Sequence, residues 1–275
     1  MAIFLGIDGG GTGCRAVASD AAGRILGHGA AGPANVNTDT ETTRANVLAA
    51  ATQALSGADP ARVTAVLGLA GANIRSAAQA LQNSLPFARS QITTDAATAA
   101  RGALGPHDGI VAAMGTGSVF ARQQGGATRQ FGGRGFLLGD EGSGAVLGRA
   151  LLSRALRAED GFVPMTPLLQ SLLDDHDGIE GIIRFATAAR PADFARFAPL
   201  LIDNPDPAAQ AVFAEALAEV RAILAALQPS EPLPVTFLGG LGPAYAAALS
   251  GLWPQRPALG TGLDGALAMA QSMGA

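Results

Sequence analysis

The chain has 275 residues, 37 of them glycine, with 15% charged residues and a formal net charge of −4; that is enough for one large domain or two compact ones, and there is no basic footprint for nucleic acid or an anionic membrane. All 18 basic residues are arginine, and without lysine there is no Walker-A P-loop, no Schiff-base site and no protein-kinase-type phosphate site. Cys14 is the single cysteine, and His28, His107 and His176 are scattered, which excludes a disulfide framework and multi-cysteine zinc or iron–sulfur centres within one chain.

Met1 to Asp8 carries no basic leader and runs straight into an apolar segment, so it reads as no signal peptide. Mean hydropathy is positive, +0.28, yet no apolar run reaches the length of a membrane span. The expectation is a soluble, cytoplasmic protein.

In chain order, Ile3 to Ile7 predicts a strand that ends at Asp8 and the loop Gly9-Gly10-Gly11-Thr12-Gly13. Cys14 to Ser19 and Ile25 to Gly29 predict two more strands, joined by the turn Ala21-Ala22-Gly23-Arg24. Helical spacing runs over about 40–56 until Gly57. A strand follows at Val63 to Leu69, a helix at about 73–84, a strand at Gln91 to Thr94 and a helix opened by Asp95 and running to about 104. The pattern then restarts: Gly109 to Met114, the loop Gly115-Thr116-Gly117-Ser118, and a strand at Val119 to Arg122. Short strands and glycine turns reach Leu138, and a helix follows Gly139-Asp140-Glu141-Gly142-Ser143-Gly144 to about Ala158. Residues 160–228 read as helices, the longest about 207–227. A buried strand, Val235 to Leu238, runs into Gly239-Gly240, and short helices close the chain at about 243–250 and 263–273. Strand, glycine loop, strand thus occurs twice, which predicts two similar α/β halves joined by a short hinge.

The first glycine loop suits a phosphate, because glycine lets backbone N–H groups approach without a Cβ clash and Thr12 adds a hydroxyl donor. Asp8 at the strand end suits Mg²⁺. Gly115, Thr116 and Gly117 repeat that chemistry, and the pair of loops reads as two phosphate clamps for one nucleotide. Asp95 reads either as a helix cap or as the base that takes a proton from an attacking hydroxyl. Asp140 and Glu141 read as helix-terminal carboxylates, the capping role suiting Glu141 better. Asn35 and Asn37 are either turn formers or donors to a polyol. Met114, Phe194 and Phe197 read as core, and Trp253 as ordinary packing. Two G-x-G-x-x-G matches, at 27–32 and 260–265, lack a following βαβ unit and are not Rossmann sites.

Gly6-Ile-Asp8-Gly-Gly-Gly-Thr12 with Gly115-Thr-Gly-Ser118 resembles the two phosphate motifs of the acetate/sugar kinase–Hsp70–actin superfamily. Thr93-Thr-Asp95-Ala-Ala, Gly132-Gly-Arg-Gly135 and Gly139-Asp140-Glu-Gly-Ser143-Gly-Ala are similar to those of BadF/BadG/BcrA/BcrD-type ATPases and N-acetylglucosamine kinases, with bacterial glucosamine kinases nearest; the likeness runs from Gly6 to about Ala270. It implies an α/β fold of two RNase-H-like (actin-like ATPase) domains around a nucleotide cleft. The expected domains are 1–107, with the last helix (263–275) crossing back to it, and 108–262, which carries a helical insertion. ATP and Mg²⁺ are the implied cofactors.

By the same resemblance Asp95 is the catalytic base, and Gly10, Gly11, Thr12, Gly115, Thr116 and Gly117 bind phosphate. Gly239 and Gly240 lie against adenosine, Asn35, Asp95 and Asp140 contact the sugar, and Asp8 holds the metal. The implied activity is phosphorylation of the 6-hydroxyl of glucosamine; the alternatives are an N-acetylglucosamine kinase, or an ATPase of this family without sugar kinase activity. An activator ATPase of the dehydratase type would need cysteines for a bridging iron–sulfur cluster, and a lone Cys14 does not provide them. Family likeness alone points to a homodimer, with no nucleic-acid or membrane partner. Two positions depart from the pattern: Gly13 stands where close relatives tend to have Ser, and Arg134 where animal N-acetylglucosamine kinases have Trp.

Overall fold

The apolar run behind Asp8 becomes a strand buried along nearly its whole length, and the rest of the first half is built around it. The computed structural model describes residues 2–37 and 39–274. Strands β1 (Ile3–Gly9), β2 (Cys14–Asp20) and β3 (Ile25–Ala31) form an antiparallel meander, followed by helix α1 (Thr40–Leu55), β4 (Val63–Leu69), α2 (Arg75–Asn83), β5 (Arg89–Thr94) and α3 (Asp95–Leu104). The sheet order is β3-β2-β1-β4-β5, with β4 and β5 parallel to β1. A second round begins with β6 (Gly109–Met114), β7 (Ser118–Gln124) and β8 (Ala127–Gly132). Helices α4 (Gly144–Glu159), α5 (Pro167–Asp174), α6 (Gly178–Ala188), α7 (Pro191–Ala195) and α8 (Pro207–Leu227) precede β9 (Val235–Leu238), α9 (Gly242–Ala248) and α10 (Gly262–Met273). The second sheet runs β8-β7-β6-β9, repeating the order of the first four strands of the first sheet. The duplication read from the two glycine loops is therefore a duplication of topology.

The chain divides into two compact units, residues 1–111, 121–130 and 257–275 in one and residues 112–120 and 131–256 in the other. In the first unit, α1 packs Val47, Ala50, Ala51 and Ala54 on one face of the sheet, while α10 sets Ala266 and Ala270 against Phe4 and Val66 on the other. Alanine and glycine bring these helices close. A Cβ at Gly29 would lie 1.9 Å from the Ala50 carbonyl oxygen, and one at Gly102 would lie 1.8 Å from the Thr261 carbonyl oxygen. Gly260 to Gly265, set aside above as a dinucleotide motif, belongs to this packing. Thr261 and Asp264 form a reciprocal capping box at the start of α10, and Gly265 approaches the Thr98 carbonyl. Gly102→Ala is accordingly expected to cost about 1–3 kcal/mol by overpacking, read as a fall in Tm with little change in any KM.

Element boundaries differ from the sequence reading where pairing or capping decides them. Strand β5 starts at Arg89 rather than Gln91, because Arg89 and Ser90 still pair with Thr64 and Ala65 of β4. Helix α1 stops at Leu55, one residue early, with Ser56 itself in the left-handed conformation at φ 48° ahead of Gly57. No strand forms between Gly132 and Leu138. Gly132, Gly133 and Gly135 all take positive φ there, and the segment through Ser143 is irregular. Met114 and Phe194 are core as expected. His176 lies in the turn between α5 and α6, where its ring packs against Phe185 and Phe197 and Nδ1 lies 2.8 Å from the Leu172 carbonyl oxygen.

Candidate active site

In the first unit the β1–β2 corner and the start of α3 place side chains with site chemistry around one cavity. Antiparallel register sets Asp8 opposite Arg15, and the Arg15 guanidinium donates to Asp8 Oδ2 at 2.7 Å. The intervening loop is fixed from both sides. Gly10 N–H donates to the Gly13 carbonyl, the Gly10 carbonyl accepts from Ala34 N–H, and the Gly9 carbonyl from Ala70 N–H, each at 2.9 Å. Gly9 is glycine for packing, since a Cβ there would meet Leu69 and Ala34 at 2.7–2.8 Å. Gly10 and Gly11 are different. A Cβ at either would meet nothing within 4 Å, and neither has a left-handed φ. The fold does not require glycine at these positions; close approach of a ligand to the backbone would. The cavity has a volume of about 440 Å³, and its lining includes Asp8, Gly10, Thr12, Cys14, Arg15 and Asp95.

Asp95 is released for chemistry by its neighbour. Thr94 is the residue that caps α3, its hydroxyl accepting from Ala97 N–H at 3.3 Å, so the capping alternative read for Asp95 gives way. Asp95 is the first helical residue, and its Oδ1 accepts from Ala96 N–H at 2.9 Å. Asp95 is exposed on the cavity it lines, while surrounding protein crowds its carboxyl. That partial desolvation raises its pKa above the ordinary aspartate value, against the opposing Ala96 N–H, and the charge of Asp8 raises it further. The Cys14 thiol, buried and beside Asp8, is pushed up to about 12, so it is no nucleophile near neutrality.

Among the described residues no group of three or more His, Cys, Asp or Glu side chains collects. A divalent cation in this cavity would therefore have Asp8, water and ligand oxygens around it. That donor set fits Mg²⁺, which keeps several waters and binds through one or two carboxylates plus substrate phosphates. Arg15 was absent from the residues expected at the site. Its signal in the sequence is its place just after the glycine loop, where hairpin register sets it opposite Asp8.

Asn35 lies outside the cavity lining. It bridges to Ala70 beyond the end of β4, and its Oδ1 accepts from Asn37 N–H at 3.0 Å, so the turn-forming reading holds for its oxygen. The Asn35 carbonyl takes the Thr43 hydroxyl at 3.0 Å, which ties the turn to α1.

In the second unit Gly115 to Gly117 form the tight turn between β6 and β7, closed by Gly115 N–H on the Gly117 carbonyl at 2.9 Å. The first two N–H groups of α4 donate to the Gly115 and Thr116 carbonyls at 2.8 and 3.1 Å. Thr116 and Gly117 are left exposed. Ser118, expected in the loop, opens β7 and is buried; its hydroxyl donates to the Glu141 carbonyl at 2.7 Å. Gly239 turns the chain after β9 with φ 82°, and a Cβ there would lie 2.4 Å from the Met114 carbonyl oxygen, so it is structurally obligatory. Gly240 faces open space. The structure thus brings Gly115, Gly117, Gly239 and Asp140 together in this unit.

Asp140 takes the left-handed conformation, φ 59°, and is almost buried. Its Oδ1 accepts from Gly135 N–H at 3.1 Å, and a Cβ at Gly117 would meet its Oδ2 at 2.8 Å. Burial raises its pKa, with the Glu141 charge adding to the effect. Neither Asp140 nor Glu141 caps α4; Ser143 does, accepting from Val146 N–H at 3.3 Å. The loop is pinned by a residue the sequence reading passed over, the lone tyrosine. Tyr245 is fully buried and donates to the Gly142 carbonyl at 2.7 Å. Tyr245→Phe leaves that carbonyl unpaired and should cost about 1–3 kcal/mol, measured by chemical denaturation, together with a looser Asp140.

Among the described residues no helix is long and apolar enough to cross a membrane. The family model described as BadF/BadG/BcrA/BcrD ATPase matches residues 5–249. The chain is 34% identical over 252 residues to the glucosamine kinase GspK of Vibrio cholerae, covering 88% of this chain and 85% of that protein. It is 31% identical over 223 residues to the N-acetyl-D-glucosamine kinase of Dictyostelium discoideum, covering 72% and 68%. Among solved structures, a Chromobacterium violaceum protein crystallised as a candidate N-acetylglucosamine kinase superposes with a TM-score of 0.85 at 31% identity, over 98% of this chain and 99% of that one. A Streptomyces griseus ROK-family glucokinase shares the fold at a TM-score of 0.55 and 21% identity, over 99% of each chain.

Proposed function

The chain belongs to the BadF/BadG/BcrA/BcrD ATPase family, and from that membership we propose that it is an ATP-dependent amino-sugar kinase that phosphorylates the 6-hydroxyl of glucosamine. The observation that carries this reading is the pairing of Asp8 and Asp95 on one cavity with a glycine loop whose Gly10 and Gly11 have room the fold does not use. Phosphoryl transfer asks for a positioned acceptor, clamped phosphates and charge compensation, and little covalent chemistry from the protein.

Asp95 is the base that accepts the proton of the sugar hydroxyl. A carboxylate whose pKa is raised by partial desolvation holds that proton better than an ordinary one. The backbone at Gly10, Gly11 and Thr12, and at Gly115, Thr116 and Gly117, takes phosphate oxygens. Asn35 and Asp140 take sugar hydroxyls, and Gly239 and Gly240 lie along the adenosine. Bound at Asp8, Mg²⁺ would supply neutralisation of phosphate charge as it shifts in the transition state. Arg15 then exchanges Asp8 for a phosphate oxygen, which its 63% exposed side chain leaves it free to do. Arg15→Met is expected to raise KM for Mg-ATP about tenfold, the loss of one charge-assisted contact, and to leave KM for the sugar nearly unchanged.

Glucosamine is placed ahead of N-acetylglucosamine because the 34% identical relative, which covers most of both chains, bears that name. The test is ADP release with Mg-ATP and glucosamine, N-acetylglucosamine, glucose or no sugar. Stimulation by glucosamine above the other sugars supports the proposal. Stimulation by N-acetylglucosamine instead moves the substrate and keeps the class. Equal basal release in all four removes the kinase reading.

A further inference from the structure

A second cavity, of about 890 Å³, lies in the helical part of the second unit and belongs to none of the chemistry above. Its floor is aliphatic and aromatic, built by Leu152 and Leu156 of α4, Ile182 of α6 and Phe194 of α7. Two arginines, Arg134 and Arg149, line it, and no carboxylate does. The Arg149 guanidinium lies 4.7 Å from the centroid of the Phe136 ring and donates to the Phe136 carbonyl at 3.4 Å. It is thereby held in one direction with further N–H groups to offer. Arg134 is exposed. On the same wall Leu137 and Leu138 are 84% and 85% exposed, an unusual position for two adjacent leucines unless something apolar meets them.

The geometry points to a binding site for a fatty carboxylate: an aliphatic chain on the Leu152–Leu156–Ile182–Phe194 floor, with its carboxylate between the guanidiniums of Arg134 and Arg149. The volume falls in the range of small-molecule pockets. The apolar lining fits a hydrocarbon chain, and a guanidinium at the cavity wall fits a carboxylate. Charge selects against the alternatives, since a cationic amphiphile would meet two arginines and a neutral one would gain only an ordinary hydrogen bond from them. The site also has a route to the first one. Gly135, in the cavity wall, donates the hydrogen bond that holds Asp140, so a chain seated against Gly135 and Phe136 acts on a residue that the proposed function assigns to the sugar. That consequence rests on the kinase reading; the binding itself does not.

The test is calorimetric titration of the full chain with sub-micellar dodecanoate, dodecanol and dodecyltrimethylammonium. Saturable binding of dodecanoate, at least tenfold tighter than that of either other amphiphile, is expected. Arg134→Gln with Arg149→Gln should weaken it at least tenfold. Ala186→Trp, which fills the cavity from an exposed position on α6, should abolish it without lowering Tm. Equal binding of all three amphiphiles, or dodecanoate binding that survives both the arginine pair and the tryptophan, overturns the proposal. So does occupation by a leucine-rich acidic peptide that dodecanoate fails to displace, which would make the cavity a protein-docking groove. If dodecanoate binds as expected and leaves KM for the amino sugar unchanged, the Gly135–Asp140 route is wrong and the site stands.

Discussion

Asp95→Asn lowers the turnover of amino-sugar phosphorylation by about 10²–10⁴-fold, the usual worth of a general base, while Mg-ATP still binds with near-native affinity. The substitution keeps the acceptor oxygen for Ala96 N–H and leaves the Thr94 cap of α3 untouched, so it removes the proton acceptor and little else. Its effect on stability has the opposite sign. Partial desolvation and the charge of Asp8 raise the Asp95 pKa in the folded state, so between its unfolded and folded values the native protein binds the extra proton. Stability from this group is gained as pH falls through the folded value, and at neutral pH the ionised carboxylate is a cost. The Asn variant should therefore melt slightly higher than the parent at pH 7 and lose that advantage in acid. In the parent, kcat should fall on the acid side at a pH above the ordinary aspartate range, because the base must be ionised. Turnover retained in the variant, or a lower Tm at neutral pH, would show that Asp95 is a structural residue.

Much of this was legible in the residues themselves. Ile3–Gly9, Val63–Leu69 and Val235–Leu238 are apolar runs too short and too β-branched for helices, and each is a strand bounded by turn residues. The duplication was visible because the same unusual corner, strand into glycine loop into strand, occurs twice. The fine assignments at the site were not legible, because they depend on which of two adjacent polar residues wins a backbone donor. The sequence offered Asp95 as a cap for α3 and Asp140 and Glu141 for α4, and passed over Thr94 and Ser143, which do the capping. Only the path of the chain into the helix decides for Thr94 and Ser143 and leaves the two aspartates unspent. The partnership of Arg15 with Asp8 follows from hairpin register, which a glycine-rich loop does not announce. Tyr245 meets Gly142 across 103 residues of sequence, a contact no local pattern encodes.

The glycines offer the sharpest separation of binding from folding. In a chain this rich in glycine, sequence could not say which ones matter, whereas the space around each one can. Gly10→Ala adds a methyl that touches no protein atom at a φ open to alanine. It should leave Tm unchanged or raise it by about 1–3 °C, since a compatible Gly-to-Ala change stabilises through the unfolded chain by about 0.4–1 kcal/mol. The same methyl points into the space a phosphate would occupy, so the affinity for Mg-ATP should fall by tenfold or more, at least about 1.4 kcal/mol. Gly102→Ala is the mirror image, because its methyl would strike the Thr261 carbonyl: stability falls and nucleotide affinity holds. Thermal melts with and without Mg-ATP on the two variants read both signs at once. If Gly10→Ala binds nucleotide like the parent, the first glycine loop is only a turn, and the phosphate must be held elsewhere.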